Sequence, residues 1–276
     1  MPSRLSFGLP LGLLGLVLLF GGDALPTLAG DDSTQQLALA GLRLELGLLS
    51  LAFAGATLGP GTIRARLGLD KSRVARSELA ILAAGTVAVS YAIYGVIELA
   101  ELAENSSLSV LESELSGIGG STLLLVTLSF ALAAPLAEEL LCRGLVQRGL
   151  VWRLGPAAGI ALAGALFGTL HVDPVHAVSA GVLGLYLGAI AYLADSTRAS
   201  IVCHLINNLL AVLSAAWGIG VGPARPLGIG LGLLLAALAL GFVWRRAGAP
   251  PRLPGSFPNA LPRDERATET GTFESD

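Results

Sequence analysis

One short stretch holds the side chains best suited to chemistry: Ala133-Ala134-Pro135-Leu136-Ala137-Glu138-Glu139-Leu140-Leu141-Cys142-Arg143-Gly144. Two carboxylates and a guanidinium follow residues 122–137, which carry no charge at all. Charges inside apolar spans are costly, and those that persist are usually paired and functional. A helix turns about 100° per residue. Glu139 and Arg143 therefore share a face at i,i+4, with the acid first, which is the favourable order. Glu138 points about 100° away and is left free to act as a general base. Two more pairs have the same spacing: Phe167 and His171 in FGTLH, and His204 and Asn208 in HLINN. Each pair lies on one helical face. His171 can hold the water that Glu138 activates, or share its proton, while Phe167 walls the site where substrate binds. His204 and Asn208 offer two donors, and two donors converging on one oxygen form an oxyanion hole.

The order of these motifs is more specific than any one of them. EExxxR, then FxxxH, then HxxxN fall on successive apolar segments within about residues 120–215. This pattern resembles the CAAX-protease and bacteriocin-processing family, the Rce1-like intramembrane glutamic endopeptidases. The resemblance implies hydrolysis of a peptide bond in a membrane-associated substrate, either a prenylated CAAX-type protein or a peptide precursor. It also implies the same division of roles, with Glu138 and His171 activating water and His204 and Asn208 stabilising the oxyanion. Glu139, Arg143 and Phe167 match residue by residue as well. Cys142 departs from the pattern, because an aromatic residue often precedes the arginine; the departure bears on packing.

The elements that hold these residues must be membrane helices. The chain of 276 residues is 53% hydrophobic and 13% charged, with a mean hydropathy of +0.73. Soluble domains carry about 25% charged residues. Thirty-six glycines suit close helix packing in lipid. The expected fold is all-α, a polytopic bundle of about eight transmembrane helices with both termini cytoplasmic. A span needs about 20 apolar residues. Candidates are Leu5–Gly21, Leu37–Leu58, Leu79–Leu99, a fourth from Thr122, Ala157–His171, Val175–Leu193, Ile201–Trp217 and Leu227–Trp244. The first is alternatively a signal peptide, since Arg4 precedes it and small residues follow at Ala29-Gly30. The basic 60–76 loop and Arg245-Arg246 mark the cytoplasmic side, and the acidic 22–36 and 98–116 segments lie opposite. The expected division is residues 1–120 as N-terminal spans, 121–218 as the catalytic core, 219–244 as the last span and 245–276 as a disordered tail.

Helix length decides whether the site can assemble. A fourth helix ending at Ala137 would leave Glu138 and His171 up to about 20 Å apart, at 1.5 Å per residue. A helix continuing to about Leu154 sets Glu138 deeper, with Pro135 expected to kink it.

Other polar residues read as structural. Arg43 and Glu45 are too close in sequence to face each other, and they are expected to pair at a helix end or between helices. His176 sits in the Asp173-Pro174-Val175-His176 turn, Asn207 is off the His204 face, and Asp195 and Arg198 belong to a loop. Cys142 and Cys203 read as small buried residues. No cofactor is expected. The alternative is a zinc site with Glu138, His171 and His204 as ligands, but HExxH is missing and Glu138 would have to serve as both ligand and base. A non-enzymatic scaffold and a proton-relay transporter are the remaining alternatives, and no half-sequence repeat supports the latter. The expected partners are the lipid bilayer and a peptide or lipidated protein substrate, with no nucleic acid, and the expected location is the plasma membrane as a multi-pass protein.

Overall fold

A computed structural model describes residues 33–59, 61–102, 106–219 and 226–248, together with Gly12 and Gly15. Among the described residues there is no strand. The helices are α1 Ser33–Thr57, α2 Ile63–Arg66, α3 Arg76–Leu99, α4 Ser107–Leu115, α5 Gly120–Leu154, α6 Pro156–Thr169, α7 Pro174–Ala194, α8 Thr197–Ala216 and α9 Pro226–Ala247. Six of them, α1, α3, α5, α7, α8 and α9, are long and apolar enough to cross a membrane. Their outer faces expose large side chains such as Leu233, Leu234, Leu238 and Phe242, as expected where lipid rather than water is the solvent. The protein is a helical membrane bundle.

The helix count needs one correction. The segment expected as the fifth span forms α6, whose 14 residues extend about 21 Å. That is shorter than a hydrocarbon core of about 30 Å. The expected first span, Leu5–Gly21, lies outside the described residues except for Gly12 and Gly15, and so do residues 249–276 of the expected tail. Arg245 and Arg246 still belong to α9, and Arg246 Nε lies 3.2 Å from Glu78 Oε1 at the start of α3.

The fourth span is one helix of 35 residues. Glu138 falls about 27 Å along a length of about 52 Å, near its middle. The helix is not uniform. Its backbone widens to i→i+5 hydrogen bonding over Thr127–Ala133 and again over Leu140–Gln147, and the turn Ala134–Glu139 between them is α-helical. Pro135 explains the first widening. The Ala134 N–H donates to Ser129 O, five residues back. Residue 135 would next donate to Phe130 O, but proline has no N–H. Asn208 Nδ2 of α8 donates to Phe130 O instead, at 3.0 Å.

The helices meet at glycines. Gly41 of α1 lies against the Phe130 ring and Gly55 against Leu145, so α1 runs alongside α5 through the acidic turn. Gly168 of α6 touches the Ala177 carbonyl of α7. Gly184 of α7 faces Phe167 and Arg143. The basic 60–76 loop is anchored to the turn between α7 and α8: Thr197 N–H donates to Gly68 O at 2.9 Å and Ser196 Oγ to Asp70 O at 2.8 Å. Asp195 takes the left-handed conformation that ends α7, and Arg198 lies in the first turn of α8.

Candidate active site

Arg143 is the anchor. Its guanidinium is 1% exposed, and three groups hold it. Nη1 lies 2.8 Å from Glu139 Oε1, Nη2 donates to Gly184 O at 3.0 Å, and Cζ sits 4.3 Å above the Phe167 ring centroid. The bond to Gly184 O offsets part of the cost of burying the ion pair, while Nε and Nη1 have no hydrogen-bond partner among the described residues. The cation–π contact adds to this in a desolvated setting. Gly184 has no side chain, and a Cβ there would come within 2.9 Å of Phe167 and 3.2 Å of Arg143.

Glu139 also accepts from His204. The His204 Nδ1–H donates to Glu139 Oε1 at 3.1 Å, which turns His204 Nε2 toward Glu138 Oε2, 3.8 Å away. That span is too long for a direct hydrogen bond, so both atoms stay available. Glu138 is 8% exposed and His204 3%. Glu138 and Glu139 are adjacent in sequence but differently employed: one is locked by Arg143 and His204, and the other faces the His204 ring.

Phe167 joins the histidines. Its ring meets His204 edge-on at 5.9 Å and His171 edge-on at 5.3 Å between centroids. At 1% exposure it is a packing centre. The sequence places it as a wall of the site that also helps hold the His171 imidazole; in the structure it lies between Arg143 and the two histidines. His171, in the connection after α6, donates its Nδ1–H to Phe167 O at 3.2 Å, which leaves the Nε2 lone pair outward. Burial lowers the affinity of His171 for a proton below its ordinary value, and the nearby His204 works in the same direction.

Asn208 lies one turn from His204 on α8. One of its amide hydrogens serves Phe130 O, and its Oδ1 accepts from Asn207 Nδ2 at 3.3 Å. One Nδ2 hydrogen is left beyond these bonds.

Two residues that carry no functional signal in the sequence lie near the site. Glu45 of α1 is 5% exposed, and its Oε2 has no hydrogen-bond partner. It sits on α1, the helix that packs against the acidic turn Ala134–Glu139. The expectation of a structural pairing for Arg43 and Glu45 gives no hint of this. The other is His176, whose ring lies 4.2 Å from that of His171. Among the described residues, no group of three or more His, Cys, Asp and Glu side chains is arranged to hold a metal ion.

Neither the curated proteins nor the solved structures give a match to this chain. Residues 120–210 match the family described as type II CAAX prenyl endopeptidase Rce1-like. The matched stretch runs from the first residue of α5 into α8 and contains the acidic turn, both motif histidines and Asn208. Over residues 120–210, the chain is similar to the Rce1-like type II CAAX prenyl endopeptidases.

Proposed function

We propose that this protein is an intramembrane glutamic endopeptidase that hydrolyses a peptide bond in a membrane-associated peptide or lipidated protein. The observation that carries the proposal is the buried pair of glutamates with unequal partners. Glu139 is held by Arg143 at 2.8 Å and His204 at 3.1 Å, while Glu138 faces His204 Nε2 at 3.8 Å with no direct bond between them. A carboxylate kept unpaired beside a fixed imidazole is a base in waiting.

In this reading Glu138 removes a proton from water, and the oxygen adds to the substrate carbonyl. His171, with Nδ1 committed to Phe167 O, presents Nε2 as a second acceptor for the same water. The oxyanion is met by His204 and by the remaining hydrogen of Asn208. His204 can donate from Nε2 while Nδ1 donates to Glu139 only when both nitrogens carry protons. In that form the positive charge stabilises the developing negative oxygen. The proton held by Glu138 then passes to the leaving nitrogen as the C–N bond breaks. Arg143 and Phe167 position these groups. No metal enters the reading, and the plasma membrane is its setting.

The test is cleavage of a membrane-anchored peptide library by the purified protein, with prenylated and unprenylated members side by side. Cleavage that continues in excess chelator supports the glutamate mechanism, and the cut site identifies the substrate class. Cleavage abolished by chelator and restored by zinc would overturn it in favour of metal catalysis.

A further inference from the structure

The chain contains three histidines, and all three lie in one series of ring contacts. His204 meets Phe167, Phe167 meets His171, and His171 meets His176. The first two carry the proposed chemistry. Nothing assigns the third.

His176 is fixed from several sides. Asp173 caps the start of α7 by accepting from the His176 backbone N–H at 2.8 Å, and Pro174 follows it in the first turn. That arrangement sets the backbone beneath the ring. Ser107 Oγ, from the first residue of α4, lies 3.4 Å from His176 Nδ1. The close approach of α6 and α7 at Gly168 and Ala177 keeps the short connection carrying His171 beside the first turn of α7. The ring of His176 then lies against His171 at 4.2 Å between centroids, tilted by 51°.

His171 needs such a neighbour. It lies outside any helix, and its imidazole is tied by one hydrogen bond, to Phe167 O at 3.2 Å. A single bond selects a tautomer only while the ring keeps its orientation, and alone it leaves the ring free to rock out of that bond. The Phe167 edge closes one side at 5.3 Å and the His176 ring closes another. The geometry points to His176 as a positioning residue: it clamps the His171 imidazole in the orientation and Nδ1–H tautomer that present Nε2 to the catalytic water. The contact is steric and aromatic, so it depends on a flat ring at position 176. This inference rests on the proposed protease reading for its consequence and on the ring geometry alone for its physical content.

The experiment uses full-length protein labelled with 15N-histidine in detergent micelles. With three histidines in the chain, the ring nitrogens are assigned by single substitution. In wild type, His171 should show one protonated and one unprotonated nitrogen, the Nδ1–H form. His176→Ala should move the His171 signals toward an averaged tautomer mixture, and His176→Phe should keep the wild-type pattern. In cleavage assays His176→Ala should lower kcat at least about tenfold with KM within about twofold, and His176→Phe should recover most of the loss, in the range expected when an acid–base group is loosened. His176→Leu, which fills the space without a ring, replaces His176→Ala if that variant does not fold. Unchanged His171 signals in the variant lacking a ring would overturn the inference, whatever the activity. If His171→Ala leaves cleavage intact, the role given to His171 in catalysis fails, and the nitrogen spectra still decide the clamp.

Discussion

At the scale of single residues, the site is a set of buried charges whose partners can be removed one at a time. Arg143→Met would leave Glu139, at zero side-chain exposure, with His204 as its remaining partner, and removing one member of a buried pair costs about 3–5 kcal/mol. Removing both, as Glu139→Leu with Arg143→Met, should cost clearly less than the sum, because no orphaned charge remains. Thermal unfolding in detergent measures both. Glu45→Leu should behave oppositely. It deletes a buried carboxylate whose Oε2 lacks a partner, so stability should rise by about 1–3 kcal/mol in the same assay. His171 supplies the pH dependence. Burial holds its proton affinity below the ordinary value of 6.5, so the imidazole is neutral at pH 7 and able to accept a proton. Activity that needs neutral His171 is present above pH 6.5 and falls as pH drops through the lowered value. A pH profile of kcat/KM whose acid limb for this group lay above 6.5 would contradict the burial argument. The acid pair, the arginine and the two motif histidines are legible in the sequence because their i,i+4 spacing and apolar setting are local facts. Glu45 and His176 are not, since nothing near them in sequence marks which helix they face.

At the scale of elements, the long fifth helix and its glycine contacts position the chemistry. The need for a helix reaching about Leu154 is legible, because a shorter one leaves Glu138 and His171 apart. Its two wide stretches are not, because i→i+5 bonding follows from Pro135 together with a donor from another helix. That origin is testable by stability. In wild type, Asn208→Ala leaves Phe130 O without its donor, at a cost of about 1–3 kcal/mol. Pro135→Ala restores a backbone N–H beside the same carbonyl, so Asn208→Ala should cost less in that background. Equal costs in both backgrounds would show that Asn208 does not serve the carbonyl freed by Pro135. Gly184→Ala probes the contact between α7 and the site. Its Cβ would press on Phe167 at 2.9 Å, and overpacking of this kind costs about 1–3 kcal/mol. The ring shift should also lower kcat, since Phe167 touches both motif histidines.

At the scale of the whole molecule, hydropathy sets the fold class, and interhelical contacts set the site. Six spans appear among the described residues at positions close to those expected. The segment Pro156–Thr169 falls short because its apolar run is cut by Gly155-Pro156 at one end and by the Asp173-Pro174 turn at the other. Its shortness has a structural use, since the helix ends where His171 meets Phe167 and His176. The central claim is that Glu138, the glutamate outside the Arg143 pair, is the base. Its direct test is the single-turnover rate of Glu138→Gln against wild type on a membrane-anchored peptide, with unfolding midpoints compared to establish that both are folded. The account predicts a loss of about 10²–10⁴-fold, the range of general base catalysis, in a protein that remains folded. Cleavage by folded Glu138→Gln at the wild-type rate would contradict it.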